Sequence, residues 1–134
     1  MLLGRFTAHA YALLRIMSGL MFFLHGTQKI LGWPPMKGFS GPLPTIAVVA
    51  GVIEIVTGIA ITLGLFTDWA AFIASGEMAV AFFVGHAMPS HNIIPISNQG
   101  EAAVLYCFIF LFIAAYGGGI WSIDSAMGRS RAAS

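Results

Sequence analysis

The sequence predicts an all-α integral membrane protein, an antiparallel bundle of four transmembrane helices. Composition and four long apolar stretches carry that expectation. Of 134 residues, 58% are apolar or aromatic and 8% are charged, against about 25% charged in a soluble domain. A soluble chain this small leaves much of its surface in water, and six basic with five acidic residues cannot cover it. Lipid is therefore the main solvent. A soluble enzyme and a disordered chain are excluded, and so is a nucleic-acid partner: a net charge of +1 without a basic run cannot neutralise a phosphate backbone.

A spanning helix needs about 20 mostly apolar residues rising 1.5 Å each. The first covers residues 7–31 and is closed by Gly32, Trp33, Pro34 and Pro35. The second covers 43–66, after the turn-rich GFSGPLP, with proline in its first turn, where a missing N–H costs nothing. A break at Thr67 and Asp68 leads into the third, 69–87, stopped by Pro89. PSHNIIPISNQG follows, and the fourth span, 99–117, ends in Gly117, Gly118 and Gly119. Short links make neighbouring helices antiparallel and residues 1–134 a single domain. The first stretch is too long for a signal core, contains Arg15 and lacks a small-x-small cleavage site, so it is read as a span. The tail after Ser122, short and polar, is expected to fray. Arg5, Arg129 and Arg131 lie at one end, with Lys37 and Lys29 toward the other. The positive-inside rule puts both termini of this multi-pass chain in the cytoplasm, with Trp33 at the outer interface and Trp69 and Trp121 at the inner one.

The few charges sit inside the spans. Arg15, Glu54, Glu77 and Glu101 fall within them and Lys29 near the end of the first. Each unpaired central charge costs about 2.5–3.5 kcal/mol, so these groups are expected to face inward and find partners. Periodicity agrees. Ala47, Gly51, Glu54 and Gly58 share one helical face, as do Ala70, Ala74, Glu77, Ala81 and Gly85, and Arg15, Ser18, Phe22, His25 and Lys29 share another. Counting 1.5 Å per residue from the inner interface puts Arg15 at ~11 Å, Glu77 at ~12 Å and Glu54 at ~18 Å. His25, His86 and Glu101 fall at ~25–29 Å, with Lys29 slightly beyond. Two layers are expected: a buried network of Arg15 with Glu54 and Glu77, and an outer layer of His25, Lys29, His86 and Glu101, with Gln28, Asn98 and Gln99 at its mouth. In the inner layer one carboxyl lacks a cation, and the deeper Glu54 is the one expected to stay neutral. The bland alternatives are a network that only fixes helix register and a Lys29–Glu101 ion pair at the interface. Cys107 is alone, in an apolar run, so disulfide, CxxC and zinc chemistry are out, and no metal site is expected.

The segments LLRIMSGLMFFLHGTQKILGW, EIVTGIAITLGLFT, SGEMAVAFFVGHAMP and NQGEAAVLYCFIFLFIAAYGGGIWSID closely resemble the signature blocks of the DoxX family of small bacterial membrane proteins. Arg15, His25, Gly26, Lys29, Glu54, Gly58, Gly64, Glu77, His86, Glu101 and Asp124 fall on the family's motif positions. Asp68 stands where members often carry a basic residue after GLFT, and the glycine triplet lacks a proline often found there. The resemblance implies a four-helix protein of the bacterial cytoplasmic (inner) membrane. It also implies links to thiosulfate:quinone oxidoreductase and terminal oxidase assemblies, and to complexes handling thiol or oxidative stress.

The leading functional expectation is then a redox-linked subunit that binds quinone, or couples a partner oxidoreductase to the quinone pool. His25, Lys29, His86 and Glu101 would form its ligand site, with His or Lys donating to a carbonyl and Glu101 moving a proton. No flavin, nicotinamide or iron–sulfur motif is present, so at most it is a subunit of an oxidoreductase, its catalytic residues unassigned. Haem between His25 and His86 is a weaker reading. The alternatives are a non-catalytic anchor or assembly subunit docking other membrane subunits or copies of itself, and a small proton or solute transporter. Four spans leave the last little room for a pore.

Overall fold

The computed structural model describes residues 1–38 and 41–129, so Arg131 lies outside the described residues. A 3-10 turn, Gly4–Phe6, leads into α1 (Thr7–Leu31). Two more long helices follow, α2 (Thr45–Leu63) and α3 (Thr67–Ser90), then a short helical turn Pro95–Asn98, α4 (Glu101–Tyr116) and a last turn Ile123–Ala126. No strand occurs among the described residues. Three helices, α1 with its 3-10 turn, α2 and α3, are long and apolar enough to cross a membrane; α4 has 16 residues. Leu13, Leu20, Val52, Val56, Phe72, Phe108 and Phe112 are exposed on the outside. Water would charge heavily for that apolar coat and lipid would not, and the chain is an all-α membrane protein.

Each boundary has a local cause. Gly32 takes the left-handed conformation that ends α1 (φ 70°). Gly64 does the same for α2 (φ 68°), with Gly64 N–H on the Ile61 carbonyl and Leu65 N–H on Ala60 O at 2.8 Å, the paired bonds of a Schellman ending. The break between the second and third spans is therefore 64–66, and Thr67 already belongs to α3. Pro89 does not stop α3 as expected. The helix widens into a π-turn over Phe83–Ala87 and continues through Met88–Ser90. A proline cannot donate to the carbonyl four residues back and its ring collides with it, and the wider turn absorbs that misfit.

α1 packs mainly on α2, and α3 on α4, with sparser contact between α2 and α3. Backbones approach closely where side chains are absent. A Cβ on Gly26 would lie 2.7 Å from the Gly51 carbonyl, and one on Gly58 2.7 Å from Phe23 N. Residues early in one helix meet residues late in its neighbour. Gly19 faces Thr62, Tyr11 bonds the Gly117 carbonyl at 2.5 Å, and Ser75 bonds the Cys107 carbonyl at 2.7 Å. The core centres on Phe22, Tyr106 and Phe110, whose rings lie 4.8–5.6 Å apart, with Ile61, Met78, Phe82 and Ile113 around them.

Candidate functional site

Lys29, near the end of α1, reaches Glu54 in mid-α2, with Nζ 2.5 Å from Oε1. Glu54 is 1% exposed and the lysine about a quarter. Glu77, on α3, stands close enough to Glu54 and Lys29 for their charges to interact. One cation thus serves two carboxyls, and it is Lys29 rather than Arg15 that supplies it. The expectation of a neutral Glu54 assumed that no cation stood beside it, and Lys29 removes that premise. The geometric cause is the direction of side chains. They lean toward the N-terminus of their own helix, so Lys29 and Glu54, on helices of opposite run, lean toward each other across a gap that a count of Cα heights leaves open.

The same lean carries Arg15 the other way. It is fully buried and donates to four carbonyls: Ile61 at 2.7 Å, Thr62 at 2.8 Å, Trp121 at 2.7 Å and Ile120 at 3.4 Å. Ile61 and Thr62 lie in the last turn of α2, where carbonyls lack helical partners and the helix dipole favours a cation. The expected Arg15–Glu54–Glu77 layer is not formed. Arg15 instead closes the end of α2 and ties it to the segment after α4.

Below Lys29 and Glu54 lies a cavity of about 140 Å³, lined by Phe22, His25, Lys29, Glu54, Met78, Ala81, His86, Ala102, Ala103 and Tyr106. Four helices contribute. Glu54 Oε2 and the Tyr106 hydroxyl are buried without a hydrogen-bond partner, as is Glu77 Oε2 beside them. Buried polar atoms are nearly always paired, so two unpartnered ones on the wall of one small space, Glu54 Oε2 and the Tyr106 hydroxyl, mark it out. His25 sets its ring edge-on to Tyr106 at 5.9 Å, and His86 Nδ1 lies 3.2 Å from the Asn98 carbonyl, fixed by the π-turn. Asn98 is itself held by Asn92 O and Gly100 N at 2.8 Å each, and Gln28 by the Pro35 carbonyl at 3.3 Å. A space this small has no room for a porphyrin between His25 and His86; ligand pockets for larger molecules run to about 300–1,000 Å³.

Of the expected outer layer, the structure brings together His25, Lys29 and His86. It does not bring Glu101, which is exposed in the first turn of α4, where a carboxylate suits the helix dipole. Neither of its expected roles, ligand contact or ion pair with Lys29, has geometry here. Tyr106 is the residue the sequence reading missed. Its signal was a single polar handle in the apolar run LYCFIFLF, since a buried tyrosine hydroxyl normally has a partner.

The tail does not fray over its described part, residues 122–129; residues 130–134 lie outside the described residues. Ser122 caps the turn Ile123–Ala126, and Asp124, 5% exposed, accepts from Phe66 N and Thr67 N at 2.9 Å and Thr67 Oγ1 at 2.7 Å. It does from a distance what a capping residue does locally, since α3 has no side-chain cap of its own and Phe66 sits at φ 47°. Burial pushes the Asp124 carboxyl up, but the bonds from Thr67 and Phe66 outweigh it and hold it below its ordinary range. Arg129 adds its guanidinium over the Phe66 ring at 3.9 Å. The expectation of a fraying end fails because the composition of a polar stretch does not show the orphan N–H groups of a distant helix that it can satisfy.

The DoxX family model matches residues 10–87, a stretch that holds Arg15, His25, Lys29, Glu54, Glu77 and His86. An uncharacterized protein of Haemophilus influenzae is 44% identical over 126 residues, covering 92% of this chain and 94% of that protein. No solved structure matches the chain. With the family model spanning more than half of its length and a relative aligned nearly end to end, the chain belongs to the DoxX family.

Proposed function

We propose that this chain is a redox-linked subunit of the bacterial cytoplasmic membrane, which holds a quinone headgroup among α1, α2, α3 and α4 and couples a partner oxidoreductase to the quinone pool. The observation that carries the reading is the cavity with its unpartnered Glu54 Oε2 and Tyr106 hydroxyl. Its volume, several times the ~30 Å³ of one water, suits a single ring, and its polar groups sit on several sides. When bound, a quinone supplies a carrier of two electrons and two protons. The chain's own residues do the rest. His25 and the Tyr106 hydroxyl donate to carbonyl oxygens, Lys29 fixes the Glu54 carboxylate, and Glu54 exchanges protons through Glu77. Electrons come from the partner, since no electron-carrying motif is present.

The same reading makes α4 a fourth span of an antiparallel bundle. At 1.5 Å per residue its helix is about 24 Å long, and Gln99–Gly100 with Gly117–Ile120 extend it. Arg5 and Arg129 mark the cytoplasmic end and Lys37 the opposite one. Native mass spectrometry of the protein extracted from its own membrane tests the proposal. A quinone mass on the wild type, lost in Glu54→Gln and Tyr106→Phe, is the expected result. A wild type that carries phospholipid alone overturns it.

A further inference from the structure

A second space adjoins the cavity. Between α2 and α3 runs a groove of about 500 Å³, open to the outside and lined almost wholly by apolar groups. From α2 come Ile46, Ala47, Val49, Ala50 and Ile53; α3 gives a matching face that includes Ile73, Gly76, Val80, Val84 and Gly85. The α2 residues all lie in the half of that helix remote from the turn at 64–66. Lys29, Ala81 and His86 line the groove and the cavity alike. The two spaces therefore share a wall of three residues, one of them the ion-pairing lysine and one carried by the π-turn.

The glycines of the groove have no use inside the chain. A Cβ placed on Gly76 or Gly85 meets nothing within 4 Å, whereas on Gly26 or Gly58 it would strike backbone. A helical glycine without a packing role is a net loss of helix stability, and what these two accomplish is to keep the groove wide. Its volume falls among those of small-molecule sites, and its wall runs directly onto the cavity through Lys29, Ala81 and His86.

We infer that the groove seats the hydrocarbon tail of the ligand whose headgroup occupies the cavity, so that the ligand is a long-tailed amphiphile entering sideways from the bilayer, past Ala81 and His86. This rests on the headgroup reading above and adds the tail, the route and the residues that select for them. The wall at Gly76 and Gly85 admits a chain of methylenes; leucine there would fill it without disturbing the fold.

The test uses the full chain in lipid nanodiscs, with a decyl-tailed benzoquinone and its tail-less analogue titrated against wild type, Gly76→Leu and Gly85→Leu. Both variants are expected to weaken the tailed quinone about tenfold, a factor worth 1.4 kcal/mol, and to bind the tail-less one as the wild type does. Equal weakening of both ligands, or of neither, overturns the inference. So does a change from oligomer to monomer in the variants with tailed binding intact, which would assign the groove to a second copy of the chain. Should neither quinone bind the wild type, the headgroup reading fails, and a diazirine-bearing fatty acid in the same nanodiscs judges the groove separately. Crosslinks within residues 46–53 and 73–84 that the leucine variants abolish support a tail site; crosslinks they leave unchanged overturn it.

Discussion

Removing the Lys29 ammonium leaves Glu54, 1% exposed, beside Glu77 with no cation between them. Breaking one side of a buried pair costs about 3–5 kcal/mol, while neutralising both sides costs much less. Lys29→Met is therefore expected to lower unfolding stability in detergent by about that much, and the double variant Lys29→Met with Glu54→Gln to recover most of the loss. A double variant no better than the single one would place the lysine's contribution elsewhere. The ion pair was legible in part. Periodicity identified Lys29, Glu54 and Glu77 as inward-facing, because a charge in hydrocarbon admits few alternatives. Who pairs with whom was not legible, because pairing depends on which way a long side chain leans, and a scale of Cα heights omits it. For Arg15 the omission mattered more: main-chain carbonyls, its real partners, are the same in every sequence and carry no signal.

At the scale of elements, the turn 64–66 and the first turn of α3 depend on a carboxylate brought from beyond α4. Asp124 lies below its ordinary range near 3.8, so its stabilisation is complete above that unfolded value and is lost as pH falls through the lower folded one. Hydrogen bonds to a charged group contribute about 1.5–3 kcal/mol each, and Asp124→Asn is expected to forfeit part of that at neutral pH. Hydrogen exchange reads it directly: the Phe66 and Thr67 amides should exchange faster in the variant at neutral pH, and in the wild type only under acid. Unchanged protection in the variant would show that the turn holds itself. The spans themselves were legible almost to the residue for α1, because hydropathy and glycine both mark its end. The extension of α3 past Pro89 was not, since a π-turn is a property of how the neighbouring carbonyls yield rather than of any residue type.

For the whole molecule, the sequence supports the membrane reading through the scarcity of charge and the apolar coat that follows from it. Of the outer layer it names, His25, Lys29 and His86 line one cavity and Glu101 does not. Glu101 is assigned to that layer from its height, its charge within a span and the family resemblance, none of which reports which way its side chain faces, and Tyr106 carries no sign in the sequence beyond its hydroxyl that sets it apart from the other aromatics. The cavity could not be foreseen, because a void is set by what four helices fail to fill, and only the assembled packing says where that is. The groove depends likewise on what α2 and α3 leave unfilled between them.

Arg15 has a consequence for how the chain is made. α1 is synthesised before α4, yet two of the four carbonyls that its guanidinium bonds belong to Ile120 and Trp121, beyond α4. Until those residues leave the ribosome, the first helix resides in the bilayer with an arginine only half accommodated, against an insertion penalty of about 2.5–3.5 kcal/mol for a charge without partners. Nascent chains that stop early should therefore be recognisable to membrane quality control. A chain ending at Gly117 is expected to accumulate far less than the full chain, and the same truncation carrying Arg15→Leu to accumulate more, as steady-state levels in membranes would record. Equal levels of the two truncations would mean that α2 alone settles the arginine; a difference would make Ile120 and Trp121, translated after α4, the proofreaders of α1.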